Sequence, residues 1–502
     1  MKREPMKKLE TQSQALPELL DRAGQSSDFT TIPLTITGRQ VRISYYKTLI
    51  DEKLLQSNVI LALQNRSLHS ELRRLEDISD WIPISDIEIT DRVEDIQSKL
   101  LKGYAIAQLD QHDRNCILVH VGTMEGLRKE NNTENEFSVV GPKVGFVEDL
   151  DTNIRLLRAQ INIPNLIVKE ITLGSSSKTR VAIIHIDGAT NEQIVQTAEQ
   201  RLKQIDIDVI FDTSLLDQFF SDNSSTPFPL FLTTERRDRV VYALLSGQVA
   251  IISDGSPYFV TGPSTLFDFF ISPEDYYLPW ILGSFFRMIR IFGVIFSLFA
   301  TSMYIAITTF HYEVIPRDLL EPLISSRRNV PFPPLVEVLF LEITIEFLRE
   351  AGARLPTKIG QTLGIVGGIV IGQATVQAGL TSHILVIIVA FSALASFATP
   401  IYKMSNAIRF LRFPMIVMTA IWGAIGMFIA IAFLLVHLTR LTSLGTPYTV
   451  PIYPLRVQGF MDSLIRPSFQ LINKRMPFLR PRSLIRFIPE PVGRKKNDFD
   501  DE

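Results

Sequence analysis

The chain has 502 residues, and its 51 lysines and arginines against 53 aspartates and glutamates give a formal charge of -2. That length admits two or three domains, and the near-neutral balance, with no basic patch interleaved with aromatics, argues against a nucleic-acid partner. A single cysteine, Cys116, rules out an internal disulfide and fits a reducing compartment.

The mean hydropathy of +0.18 averages two unlike parts. Residues 1–280 read as a soluble α/β protein and residues 283–438 as membrane-like. The start, Met1-Lys-Arg-Glu-Pro, is basic but no apolar run follows. No signal peptide is expected, so a variable segment (1–38) and an α/β region (39–280) are expected in the cytosol. Strand-like runs include Val41–Tyr46, Cys116–Val121, Val181–Ile186 and Val249–Ile252, ending at or near turn signals such as Asp187-Gly188 and Asp254-Gly255. Helical periodicity marks Asp91–Lys102, with Val93, Ile96, Leu100 and Leu101 on one face, and similar patterns cover roughly 147–159 and 191–204. Strands mixed with helices of that length predict two subdomains with mixed sheets, divided near residues 150–165.

Little in this half points to chemistry. Gly174-Ser-Ser-Ser-Lys178-Thr179 resembles a phosphate loop, but the glycine before the lysine is missing, and its place between two strand-like runs predicts a hairpin. His69, His112, His120 and His185 lie far apart without metal-ligand spacing, and Asp206 and Asp208 read as solvated loop carboxylates. Cys116 reads as a small apolar residue of its strand. No catalytic residue, cofactor or metal is expected, and the half does not read as an enzyme.

The membrane half predicts a helical polytopic domain with apolar segments at about 288–311, 334–350, 359–380, 384–400 and 413–438. The first clear span, Ile291–Tyr312, has Arg287 and Arg290 at its front edge, which keeps that end cytosolic under the positive-inside rule. The proline-rich stretch His311–Pro334 predicts a non-helical or broken outer loop. Leu335–Glu350 is apolar yet carries Glu337, Glu342, Glu346, Arg349 and Glu350. Two readings stand there: an amphipathic helix in the interface with its carboxylates in water, or carboxylates along an aqueous pathway.

Between Lys358 and Lys403, 44 residues pass without a formal charge, and Gly360, Gly364, Gly368 and Gly372 recur every fourth position. That repeat opens a groove where another helix can approach closely. Thr362, Val366, Ile369, Gln373 and Gln377 form a stripe on roughly the opposite side. The stripe either faces a pore or supplies interhelical hydrogen bonds. A final uncharged span, Phe413–His437, separates the cationic stretch Tyr402–Arg412 from a basic C-terminal tail, 439–502. Both cationic segments want the cytosol, which a simple up-and-down topology cannot satisfy; one segment is then re-entrant, or the charge rule fails once.

With these segments laid out, the chain resembles the A subunits of the GerA-type spore germinant receptors of endospore-forming bacteria. The resemblance is carried by Pro331-Phe-Pro-Pro-Leu-Val-Glu337 through Glu346-Phe-Leu-Arg-Glu-Ala-Gly-Ala-Arg-Leu-Pro356, followed by Gly364-Ile-Val-Gly-Gly-Ile-Val-Ile-Gly-Gln373. Further pieces are Gly141-Pro-Lys-Val-Gly-Phe146-Val-Glu148 with Asn153 and Arg158, Gly247-Gln-Val-Ala-Ile, Asp254-Gly-Ser-Pro257 and Glu274-Asp-Tyr-Tyr277. It implies a multi-pass subunit of the spore inner membrane that works with a transporter-like B subunit and a lipoprotein C subunit. It also implies an A subunit that oligomerises and provides a cation path during germination, nutrient binding resting mainly with the B subunit. Two rivals remain: a scaffold or signal relay without its own pore, and a secondary-transporter component, for which no inverted repeat is visible.

Overall fold

A computed structural model describes residues 16–66, 72, 74–109, 115–122, 136, 140–355, 357–456, 459–468 and 471–486, with the side chains of 357–366 and 461 excluded. His69 and His112 lie outside the described residues.

The soluble half holds two five-stranded sheets. The first orders β1 (Phe29–Ile36), β2 (Arg39–Tyr46), β4 (Tyr104–Leu109), β5 (Cys116–His120) and β3 (Ile87–Thr90) as β1-β2-β4-β5-β3. Its apolar runs are continuous because both faces are covered. Val41, Ile43 and Tyr45 face one layer with Leu55, Val59 and Ile78. Tyr46, Ile106 and Leu118 face the other, with α1 (Leu16–Ala23) and α3 (Val93–Leu100), which follows α2 (Leu75–Trp81) in the chain. Cys116 lies fully buried there as a packing residue.

The second sheet orders β6 (Leu166–Leu173), β7 (Thr179–Ile186), β9 (Val249–Ser253), β10 (Phe259–Gly262) and β8 (Leu232–Thr234) as β6-β7-β9-β10-β8. All described pairings in both sheets are antiparallel, where mixed sheets were expected. Four of the eight neighbouring pairs, β1-β2, β4-β5, β6-β7 and β9-β10, are consecutive strands joined by short connections, which need no parallel crossover. The Gly174–Lys178 loop is the expected hairpin, closing Leu173 against Thr179 with Gly174 at φ +87°. One face of the sheet packs α4 (Leu150–Gln160) and α7 (Arg237–Ser246). The other packs α5 (Glu192–Lys203) and α6 (Thr213–Phe220). Phe146 already belongs to this second core. The change of sheet therefore falls between His120 and Phe146, earlier than 150–165.

The two sheet units are joined by a buried ion pair. Arg158 of α4 donates through Nε and Nη2 to both oxygens of Asp28, each at 2.7 Å, and stacks over the Tyr46 ring at 4.1 Å. Ser26 and Thr48 also donate to Asp28, at 2.6 and 2.9 Å. Both charges are fully buried, so each depends on the other.

Six long helices follow among the described residues. α8 (Trp280–Ile305, extended by a wider turn Ala306–Phe310) leads away from the soluble half. The segment after it was expected to be non-helical, but α9 (Arg317–Arg327) forms there with Pro322 inside and no buried residue. α10 (Pro334–Arg354) runs back, α11 (Thr357–Gln377) runs out and α12 (His383–Ser396) returns. α13 (Tyr402–Arg440) is not one straight rod: Gly423 interrupts it at φ +62° and ψ −142°. A Cβ on Gly426 would collide with the Met418 carbonyl oxygen, whereas residues eight apart on a straight helix lie about 12 Å apart. The chain therefore reverses at Gly423 into two antiparallel limbs, 402–422 and 424–440.

Both ends of α13 meet the second sheet unit. Lys403 Nζ donates to Asp217 Oδ2 at 2.5 Å, and His437 Nε2 lies 2.9 Å from Thr226 Oγ1. Ile401, Met404, Leu438 and Leu441 share one apolar core with Val181, Ile183 and Val249. The tail, expected as a basic appendage, folds back instead: Arg466 and Arg475 are 2% and 3% exposed, donating to carbonyls of Leu278, Tyr276 and Leu245.

Candidate functional site: a charged helix seam and an open helix

Two of the carboxylates of α10 do not lie in water as the interface reading required. Glu337 and Glu342 are 0% and 1% exposed. Glu337 Oε1 accepts from Arg327 Nη2 at 2.9 Å, and its Oε2 accepts from the Ser382 N–H at 3.2 Å. Ser382 is the N-cap of α12, its own Oγ accepting from the Leu385 N–H. Glu337 thus places negative charge at a helix N-terminus, where the backbone dipole favours it.

One turn and a half further along, Glu342 Oε2 accepts from Arg412 Nη1 at 2.6 Å. Arg412 Nη2 donates to Ser297 Oγ at 2.6 Å, and Ser392 Oγ donates to the Ser297 carbonyl at 3.1 Å. One ion pair thereby ties α8, α10, α12 and the first limb of α13. Below it Arg409 Nη1 lies 3.3 Å from Glu346 Oε2. Arg349 donates to Ser396 Oγ at 3.0 Å and covers the Phe397 ring at 4.2 Å. Glu350 is the solvent-side member, pairing with Arg354 of its own helix. Among the described residues, Glu342 Oε1, Arg412 Nε and Arg409 Nε have no hydrogen-bond partner. Such buried polar atoms are ordinarily met by water.

Partners for these carboxylates were missed in the sequence, where Arg409 and Arg412 were read only as signals of orientation. A signal did exist. Glu342 and Glu346 are four apart, Arg409 and Arg412 three apart, and antiparallel helices bring them together in reverse order.

α11 rests on α10 and on little else in the chain. The glycine that meets α10 is Gly367, where a Cβ would come within 3.0 Å of Leu348 Cδ2. Gly368 and Gly372 of the four-residue repeat face open space, with nothing within 4 Å of an added Cβ. Ile369 is 62% exposed, and Gln373 and Gln377 are exposed as well. Thr375 is buried, its hydroxyl turned back to the Ile371 carbonyl. Gly360, Thr362, Gly364 and Val366 lie on the helix, but their surroundings are outside the described residues. The helix ends at Gly379, φ +69°, packed against the Asn329 carbonyl. Neither the glycine row nor the glutamine stripe has a partner helix among the described residues.

Two helices, Trp280–Phe310 and Tyr402–Arg440, are long and apolar enough to cross a membrane by length and composition, and His383–Ser396 is a shorter apolar helix. Among the described residues, no group of three or more histidines, cysteines or carboxylates could hold a metal ion.

Known proteins match over nearly the whole chain. Spore germination protein GerQA of Bacillus cereus is 47% identical over 491 residues, 97% of each chain. Spore germination protein GerIA of the same organism is 46% identical over 488 residues, 97% of this chain and 72% of the relative. The crystal structure of the N-terminal domain of the A subunit of the Bacillus megaterium spore germinant receptor GerK3 covers 50% of this chain and 94% of its own. It is 25% identical, with a TM-score of 0.39. The family model described as Bacillus/Clostridium GerA spore germination protein matches residues 17–478. With the two sheets, the charged seam and the apolar helices all inside that range, the chain belongs to the GerA family of spore germination proteins.

Proposed function

We propose that the chain is the A subunit of a nutrient germinant receptor in the spore inner membrane, acting with a transporter-like B subunit and a lipoprotein C subunit. Copies of it assemble through α11 to form or gate a cation pathway. The observation that carries this reading is α11 itself, an apolar helix on which Gly368, Gly372, Gln373 and Gln377 are open among the described residues. A glycine row favours close approach of a neighbouring helix, and polar residues in a span favour a water-filled interior. Helices that alternate direction, with both ends of the helical half returning to the soluble unit, keep Lys403, Arg409, Arg412 and the basic tail on one side. That arrangement removes the conflict between the two cationic stretches flanking Phe413–His437, while Arg317, Arg327 and Arg328 lie at the opposite end. Large exposed side chains such as Phe292, Ile425 and Phe433, at 68%, 68% and 71%, suit contact with lipid.

The test is conductance of purified, verified oligomers in planar bilayers. Cation current changed by Gln373→Leu is the expected result, and silent membranes with intact oligomers would overturn the pathway. A relay without a pore draws support from the apolar core shared by α13 and the second sheet. For that reading Gln373→Leu would leave every germination readout unchanged.

A further inference from the structure

A cavity of about 340 Å³ lies between the second sheet unit, the segment entering α8 and the C-terminal segment. Its volume falls in the range of small-molecule sites, and its wall is mostly apolar, with Leu232, Ala243, Ile271, Pro273 and Ile472 contributing. The polar groups on that wall are mostly engaged by the protein. Tyr242 and Tyr276 donate to Asp462 at 2.7 and 3.0 Å, Tyr277 donates to Asp238 at 2.9 Å, and Gln248 donates to the Pro263 carbonyl at 2.7 Å.

Arg239 is the exception. It is 8% exposed, and its Nη2 is bonded to the Ile271 carbonyl, but Nη1 makes no hydrogen bond, the Glu136 carboxylate standing off at 3.8 Å. A buried guanidinium nitrogen without an acceptor is costly, and an arriving anion would relieve that cost. A second guanidinium, Arg486, lies over the Tyr242 ring at 5.0 Å in the same wall. Against these two cations stand three carboxylates: Glu136, ion-paired with Arg239 at 3.8 Å, Asp238, already taken by Arg236 and Tyr277, and Asp268, which accepts from the Thr265 N–H at 2.7 Å. Among the described residues, the donors left without a hydrogen-bond acceptor on this wall are therefore guanidinium nitrogens, which suit a negative head.

We propose that this cavity binds a small organic carboxylate, its anionic head on Arg239 and Arg486 and its apolar body against the tyrosines, Ile271 and Ile472. The proposal stands apart from the cation pathway, since it concerns a different part of the molecule and is read without conductance. It places a ligand beside Tyr276, whose hydroxyl shares Asp462 with Arg287 at the base of α8. Occupancy can thus be felt at the first membrane helix.

Calorimetric titration of the full chain in detergent with 3-phenylpropionate, against the uncharged 3-phenylpropionamide, tests it. The acid should bind at least about tenfold more tightly than the amide, the scale of a charge-assisted hydrogen bond. Arg239→Gln and Arg486→Gln should each lose most of that preference. If Arg239→Gln fails to fold, the partly exposed Arg486 decides the matter. Equal affinity for acid and amide, unchanged binding in Arg486→Gln, or no binding of the acid at about 10 mM would each overturn the proposal.

Discussion

A carboxylate and a guanidinium buried together are stable only as a pair, and Glu342 with Arg412 is such a pair. Glu342→Ala should therefore act first on stability. It leaves a buried, uncompensated charge, for which about 3–5 kcal/mol is the usual loss. Glu342→Leu combined with Arg412→Met removes both charges and should recover most of that loss in a thermal melt; a double variant as damaged as the single would refute the account. A conductance change in Glu342→Ala would thus be ambiguous, whereas Gln373, exposed on α11, offers a cleaner probe. Two further residues set opposing pH dependences in the second sheet unit. Burial and the nearby Lys169 push the His185 imidazole down to about 4. The folded state then binds fewer protons than the unfolded one, and stability falls as pH drops from the ordinary histidine range towards 4, by about 3 kcal/mol in all. Burial pushes Asp268 up to about 6, so its folded state binds more protons, and stability rises over nearly the same descent by a similar amount, about 3 kcal/mol. The two nearly cancel. Between pH 6.5 and 4 the parent protein should show a shallow profile, His185→Phe should gain stability on acidification, and Asp268→Asn should lose it; parallel profiles for all three would sink this reading.

At the scale of elements, Gly423 decides the course of the last helix. Its φ of +62° suits glycine, and a Cβ there would meet Phe310 at 2.8 Å. Gly423→Val should cost more than about 2 kcal/mol, since strain and overpacking add, and should lower the yield of folded protein. The hairpin also makes a positional prediction. Cysteines introduced at Ile425 and at Tyr402 should react with impermeant thiol reagents from opposite sides of the membrane, while one at Arg440 should share the side of Tyr402. Labelling of Tyr402→Cys and Arg440→Cys from opposite sides would show a single straight span instead. This reversal was not legible in the sequence, because Phe413–His437 is an uncharged run of one span's length and one glycine within it has many readings. What was visible was its consequence, two cationic stretches that no simple topology could place together. The strands, by contrast, could be read almost residue for residue: Val181–Ile186 and Val249–Ile252 fall within β7 and β9. Pairing direction was not legible, since runs apolar on both faces look alike in parallel and antiparallel sheets. α9 was hidden by its prolines, because Pro322 lies inside the helix, where a proline is ordinarily a breaker.

The whole molecule is a soluble pair of sheets fused to its helices through a common core, with one helix left outside that fusion. α8, α10, α12 and both limbs of α13 are held by the seam around Glu342 and Arg412 or by the core beneath α13, whereas among the described residues α11 is supported along one face by α10. An apolar helix with an open glycine row has three possible neighbours in a bilayer: lipid, the B subunit, or another copy of itself. Lipid fills a groove poorly, and small residues in register favour backbone contact, so assembly is the expected outcome. The two open faces of α11 then have separable roles. Gly368→Cys should form a disulfide between copies under mild oxidation, Cys116 being buried and unable to interfere. Gly368→Leu should dissociate the assembly in size-exclusion chromatography with light scattering, because a branched side chain holds the helices apart. Gln373→Leu should leave that assembly intact while altering cation current, since its side chain faces away from the glycine contact. If instead Gln373→Leu dissociates the oligomer and Gly368→Leu does not, the faces are exchanged: the glutamines are the interhelical hydrogen bonds and the glycine groove lines the path. A monomer in every variant and in the parent would remove α11 from any pathway, leaving the shared core between α13 and the second sheet as the route by which this subunit acts.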